Sequence, residues 1–234
     1  MPGPKRFYRA AEAAARDRGF AVLLDGKPVK TPSAAPFLVP TRKLAEAVAA
    51  EWAAQEKTIE AATMPLWVLA CRALDDVAQA RERTVDDVAG FARTDLLCYR
   101  ATHPEDLIVR QREHWQPLLD WIARECDAPL KVTAGIVFEL QPETALAAMR
   151  RAVAAHDDYR LAALAQAARA SGSLVLALAL SKGRITGAQT VELSLLDELY
   201  QIEKWGDDPE ARARRETVRA DVLAAEHFMA LTTP

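Results

Sequence analysis

The sequence predicts an α+β protein, with a small N-terminal β-rich domain over residues 1–40 and a larger, mostly α-helical domain over residues 41–234. Two observations carry this prediction. The first forty residues hold short apolar runs separated by prolines and by an Asp25-Gly26 pair, which is typical of hairpins. From Thr41 onward, apolar side chains recur every three or four residues, which indicates helices.

The N-terminal region contains a strong hairpin signal, "GFAVLLDGKPVKTP". Both central residues of a two-residue hairpin turn take positive φ, a conformation that Asp25 and Gly26 tolerate. The run "APFLVP" predicts another short strand bounded by prolines. The preceding segment, "RFYRAAEAAA", is ambiguous between helix and strand by propensity. We therefore expect a small domain of hairpins that ends near Pro40.

Helices with recognisable start signals follow this domain. Thr41 is placed to cap a helix that carries Leu44, Val48 and Trp52 on one face. Because these three apolar residues are one helical turn apart, Trp52 is predicted to be a core residue. Thr63 is expected to open the next helix.

The middle of the chain combines a capping signal with two irregular features. A capping box, "TVDD", predicts a helix that begins at Thr84 and carries Asp95 and Tyr99 on one face. Pro117 lies inside the next helical pattern and is expected to kink or break it. The stretch 130–141, "LKVTAGIVFELQ", is rich in β-branched residues and favours an extended strand or hairpin against the helices.

The stretch "YQIEKWGDD" marks a corner between two helices. A helix is predicted over residues 187–205, with Gly206 ending it before the next helix begins. Capping explains this glycine but not Glu198 and Glu203, the acids that surround Tyr200. Glu198 and Glu203 lie off the apolar stripe on either side of Tyr200, so we expect both acids to be exposed.

An acidic corner with aromatic side chains suits docking to a basic patch on a partner protein. Trp205 ends the first helix of this corner, where it either packs inward or anchors an interface. Glu210 lies in the first turn of the second helix, near the positive end of its dipole.

Composition excludes several classes of protein. The chain has 234 residues, of which 50% are hydrophobic and 27% charged, as in globular proteins. Its net charge of −3 argues against a general nucleic-acid binder. The most apolar stretch, "SLVLALAL", is far shorter than the roughly 20 residues of a membrane helix, so no membrane insertion is expected. The N-terminus has no apolar signal-peptide core, which favours a cytoplasmic location.

None of the common catalytic or cofactor patterns is present in the sequence. It contains no GxxxxGK[ST] or GxGxxG loop and no CxxC or HxxxH spacing. We therefore expect no catalytic residue, no cofactor and no metal site. The alternative is an enzyme whose active site is dispersed along the chain and assembled at the seam between the β and helical domains.

Four sequence blocks together resemble a known family, the assembly chaperones of the F1 sector of ATP synthase, in the branch that binds the alpha subunit in mitochondria and alpha-proteobacteria. The blocks occur in the family's order and span nearly the whole chain. They are "FAVLLDGKPVKTP" (20–32), "EWAAQEKTIEAATMP" (51–65), "FARTDLLCYRA" (91–101) and "YQIEKWGDDPEARAR" (200–214).

The resemblance implies an N-terminal β domain, a helical C-terminal domain, no catalysis and no cofactor. Its implied partner is the unassembled F1 alpha subunit, held until the beta subunit replaces the chaperone, here in a bacterial cytoplasm. The family's motif positions fall on Glu51, Trp52, Thr94, Asp95, Tyr99, Trp205, Gly206 and Glu210. Ala211 stands where family members often carry an aromatic residue. The expected partner-binding residues are Glu198, Glu203, Trp205, Gly206, Glu210, Asp95 and Tyr99.

Overall fold

The computed structural model describes residues 3–233, which form two compact units. The first unit runs up to Arg81 and includes Asp157–Ala163 and the residues from His227 onward; the second comprises Glu82–His156 and Leu164–Glu226. A small N-terminal sheet precedes a mostly helical chain, so the predicted α+β class is confirmed. The domain boundary at residue 40 stays a prediction. The predicted domains also include residues 1, 2 and 234, which lie outside the described range.

The sheet of the first unit is built around one strand. Its strands are β1 Ala11–Arg16, β2 Gly19–Leu24, β3 Lys27–Pro28 and β4 Leu38–Val39. β2 pairs antiparallel with β1 along its whole length, with β3 at its C-terminal end and with β4 at its N-terminal end. Asp25 and Gly26 take φ values of 48° and 78° between β2 and β3, which confirms the predicted hairpin.

Helix α1, Arg42–Ala53, begins where the sequence predicts. The Thr41 hydroxyl accepts a hydrogen bond from the Leu44 N–H at 3.1 Å. Leu44, Val48 and Trp52 are all buried. Both the predicted cap and the predicted core face are therefore confirmed.

Helix α2, Pro65–Cys71, does not have the predicted cap. Thr63 does not cap it; the two carboxylate oxygens of Glu51 accept hydrogen bonds from the N–H groups of Leu66 and Trp67, each at 2.8 Å. The Thr63 prediction is wrong because the Glu51 carboxylate, on α1, accepts from these amides instead. Glu51 is distant in sequence from α2, so the local sequence pattern does not indicate this contact. A 3-10 turn at Ala61–Thr63 precedes α2, and a π-helical turn at Arg72–Val77 follows it.

Helix α3, Arg81–Ala89, begins before Thr84, so the predicted capping box is wrong. The helix also ends early, and two 3-10 turns follow it. Asp95 and Tyr99 therefore do not share a helical face, contrary to the prediction. The next elements are the 3-10 turns Gly90–Thr94 and Leu96–Cys98, then strand β5, Tyr99–Arg100, which pairs in parallel with strand β6, Thr133–Ala134.

Helix α4, Glu105–Cys126, continues through Pro117, so the predicted break does not occur. Trp115, two residues before the proline, and Leu118, directly after it, are buried. Their packing offsets the backbone hydrogen bond that proline cannot make.

Further helices complete the chain. They are α5 Glu143–Ala154, α6 Asp158–Ser171, α7 Leu174–Ser181, α8 Gly187–Ser194, α9 Leu196–Trp205 and α10 Pro209–Thr232. The single helix predicted over residues 187–205 is thus two helices, separated at Leu195. Within residues 3–233, no helix has both the length and the apolar character needed to span a bilayer.

Candidate functional site

The predicted docking corner lies where α9 ends and α10 begins. Gly206 follows α9 with a φ of 91°, a conformation that suits glycine because it has no side chain to clash. Trp205 is 76% exposed. Its ring stacks on no other aromatic ring in the part of the chain that the structure describes. The end of α9 therefore presents an indole to solvent.

Two acids of this corner are paired within the second unit. Glu203 accepts two hydrogen bonds from the Arg110 guanidinium, both at 2.9 Å, and this contact lowers the pKa of Glu203. Glu198 pairs with Arg214 and Arg215. The side chain of Glu203 is 53% exposed, as expected, whereas that of Glu198 is only 20% exposed, so the expectation for Glu198 is wrong. A basic partner must therefore compete with arginines for these carboxylates.

Tyr200 is buried and does not contribute to the surface of the corner. Its hydroxyl donates to Asp106 at 2.6 Å, and the Lys204 Nζ lies 3.1 Å from the same carboxylate. The hydrogen bond from Tyr200 lowers the pKa of Asp106 and raises the pKa of Tyr200. Tyr200 therefore joins α9 to α4, and the exposed aromatic residue of the corner is Trp205.

Glu210 differs from the other acids of the corner. It is exposed in the first turn of α10, and no ion pair joins it to any residue between 3 and 233. Its carboxylate is therefore open to a cation on a partner.

Asp95 lies in the interior of the second unit. Its fully buried carboxylate accepts hydrogen bonds from the Ser173 hydroxyl at 2.7 Å, the Val175 N–H at 3.0 Å and the Leu97 N–H at 3.1 Å. Burial raises the pKa of Asp95. Tyr99 is half-buried in β5. The structure therefore buries Asp95 where it stabilises the start of α7.

The sequence interpretation missed a second surface feature, which we call the apolar segment, residues 136–140. Ile136 is 98% exposed, Val137 70%, Phe138 56% and Leu140 70%. Contiguous apolar exposure of this kind is uncommon on monomers and marks interaction sites. The prediction that this stretch packs against the helices is wrong for the apolar segment.

The base of the apolar segment is fixed by one side chain. Gln141 accepts a hydrogen bond from the Lys131 N–H at 2.7 Å and donates one to the Lys131 carbonyl at 2.9 Å. The Lys131 ammonium also pairs with Glu139 at 3.0 Å. These contacts close a loop that holds the segment outward. The run "IVFEL" is almost continuously apolar, a pattern equally typical of a buried strand, so the sequence carries no signal for its exposure.

Among residues 3–233, the thiols and metal-ligating side chains form no cluster suited to binding a metal ion. Cys71, Cys98 and Cys126 are free, and burial raises the pKa of Cys71 and Cys98 to about 12, which keeps them as thiols. Within residues 3–233, no group of three or more His, Cys, Asp or Glu side chains is arranged to hold a metal ion.

Comparisons with known proteins point in one direction. The family profile described as "ATP12 chaperone protein" matches residues 5–123. The mitochondrial protein atp12 of Schizosaccharomyces pombe is 23% identical over 219 residues, which cover 88% of this chain and 75% of that protein.

Two solved bacterial structures are similar over nearly the whole chain. Atp12 of Paracoccus denitrificans is 38% identical with a TM-score of 0.93, covering 98% of this chain and 99% of that chain. A candidate chaperone of Agrobacterium tumefaciens is 36% identical with a TM-score of 0.92, covering 98% of this chain and 87% of that chain.

Proposed function

Because the chain belongs to the ATP12 chaperone family, a family of ATP synthase assembly chaperones, we propose that it binds the unassembled alpha subunit of F1 and shields its interface until the beta subunit replaces it. The observation that carries this proposal is the family match. The four sequence blocks, which resemble the alpha-binding branch, support the choice of subunit.

The surface of the second unit is suited to this task. A free subunit of a multi-subunit enzyme exposes large apolar interfaces, and such surfaces aggregate. The apolar segment and Trp205 offer apolar side chains that can cover part of such an interface, and Glu210 offers an open charge. Contacts of this mixed kind allow later displacement by the beta subunit.

The family is one of chaperones rather than enzymes, and we propose that this protein performs no catalysis. We also propose that it acts in a bacterial cytoplasm, as the bacterial origin of its structural relatives suggests.

The direct test of this function is complex formation. We expect the purified protein and a free alpha subunit, mixed at tens of micromolar, to elute together with a defined stoichiometry in size-exclusion chromatography. Assembled F1 is the control, because its alpha subunits are already covered. Separate elution of the two purified proteins would contradict the proposed function.

The apolar segment provides a sharper test. Replacing Ile136 and Phe138 together by serine is expected to weaken alpha-subunit binding by about tenfold or more, since exposed anchors contribute to binding and little to folding. The melting temperature of the variant should equal that of the wild type. The matched control is Phe7→Ser, because Phe7 is 74% exposed but lies outside both the apolar segment and the acidic corner. Equal weakening by the control would show that the segment has no special role.

The acidic corner is tested by charge reversal. Glu203→Lys and Glu210→Lys are each expected to weaken alpha-subunit binding while leaving melting nearly unchanged, because both side chains are exposed. The loss relative to the wild type should shrink at high salt, where charges are screened. Glu56→Lys is the control, because Glu56 is an exposed acid outside the acidic corner. Normal binding by both corner variants would show that the acidic corner is not part of the interface.

A further inference from the structure

The first unit contains a pocket of about 450 Å³ that the proposed function leaves without a role. Its volume is typical of ligand pockets, and it far exceeds the roughly 150 Å³ cavity that holds a benzene ring. Its apolar wall comes from β2, β3, β4 and the loop between the last two. The lining residues of this wall are Ala21, Pro28, Val29, Pro36, Phe37 and Leu38.

The rim of this pocket is strongly basic. Arg16, Arg18 and Lys30 line it, against the single acid Asp17. All four side chains are exposed, and no ion pair within the described residues neutralises any of them. A cluster of unpaired cations on a chain with a net charge of −3 favours an anionic occupant.

The loop that shapes the pocket is held in place. Asp75 accepts hydrogen bonds from the Thr31 hydroxyl at 2.7 Å and from the Ser33 N–H at 3.1 Å. Across the loop, the Phe37 N–H donates to the Val29 carbonyl at 3.2 Å. A pocket fixed in this way loses little conformational freedom when it is occupied.

The prolines of the pocket decide how an occupant is recognised. Pro28 and Pro36 have no N–H, so the backbone along the pocket cannot donate the full set of hydrogen bonds that an added β-strand would need. An occupant is therefore recognised by an apolar side chain that packs against the pocket wall and by carboxylates that pair with the cations of the rim.

We propose that this pocket binds an acidic segment of the client chain, with one large apolar side chain seated against Phe37 and flanking carboxylates paired with Arg16, Arg18 and Lys30. The inference rests on the proposed function, because the client is the unassembled alpha subunit. It gives the first unit a basic surface that contacts the client, in addition to the acidic corner of the second unit.

The test reverses the charge of the rim. Lys30→Glu and the double variant Arg16→Glu/Arg18→Glu are each expected to weaken alpha-subunit binding by roughly tenfold and to reduce its salt dependence. Lys43→Glu is the matched control, since Lys43 is exposed on α1 and does not line the pocket. If the wild type binds and the rim variants bind equally well, the pocket inference is wrong and the proposed function stands. If the wild type does not bind, both fail.

An aromatic anion provides a readout independent of the client. We expect the dye anilinonaphthalene sulfonate to bind the wild type, to bind Lys30→Glu more weakly, and to be displaced from the pocket by the alpha subunit. A dye that binds in the pocket but persists beside bound alpha subunit would identify a small-molecule site and overturn the proposal of a client segment. Equal weakening of client binding by Lys43→Glu would also overturn it.

Discussion

Asp95→Ala is expected to lower the free energy of unfolding by about 3–5 kcal/mol, because it leaves several buried hydrogen-bond donors without an acceptor. The carboxylate serves the Ser173 hydroxyl and the N–H groups of Val175 and Leu97, and none of these has access to water when the site is buried. Chemical denaturation monitored by circular dichroism measures the change. If the variant keeps its stability but does not bind the alpha subunit, Asp95 is a contact residue.

Asp95→Asn is the matched variant, since it keeps the shape but replaces one acceptor oxygen with a donor. We expect a smaller loss of stability than for alanine. The difference in stability between the wild type and Asp95→Ala depends on pH, because burial raises the pKa of Asp95 above its ordinary value of about 3.9. In the window above that value the folded state holds a proton that the unfolded state has released, so stability falls as pH rises. The difference in free energy of unfolding between the wild type and Asp95→Ala should therefore become smaller as the pH rises from about 4.

Trp52→Ala is expected to cost about 3–5 kcal/mol of folding stability, the usual range for truncating a buried tryptophan. The Trp52 side chain is 7% exposed, and its ring meets the rings of Tyr8 at 5.6 Å and Trp67 at 5.0 Å, both edge-on. The expected result is destabilisation, with weaker client binding only as a consequence. A variant that melts like the wild type yet does not bind the alpha subunit would make Trp52 an interface residue.

Trp52→Phe separates the ring from its polar atom. The buried Trp52 Nε1 has no hydrogen-bond partner in the described residues, so removing it relieves an unsatisfied donor. The phenyl ring keeps part of the edge-on packing. We therefore expect the loss to be less than half of that for alanine, and a loss as large as for alanine would show that the indole's full volume is required.

The family membership and several local features were predictable from the sequence. The Asp25-Gly26 turn, the Thr41 cap and the core face of α1 all appear as predicted, and the α+β class is confirmed. The position of the exposed acids was predictable only in part. Glu203 is accessible, but its pairing with Arg110 joins residues that are far apart in the sequence.

The remaining features were decided by contacts between distant segments. The Glu51 carboxylate caps α2 in place of the predicted Thr63, and the buried Asp95 carboxylate accepts from the first turn of α7. The apolar segment projects into solvent because Gln141 closes its loop, not because its composition differs from that of a buried strand.

The sequence by itself therefore determined the Asp25-Gly26 turn, the Thr41 cap, the class of fold and the family of this protein. The turn and the cap depend on backbone preferences and on partners within about four residues, which a linear pattern records. Only the tertiary structure decided which carboxylates are buried, which are neutralised by arginines and which apolar side chains remain uncovered. Burial and ion pairing depend on what a distant segment places beside a residue, and the residue's own neighbours in sequence do not specify that.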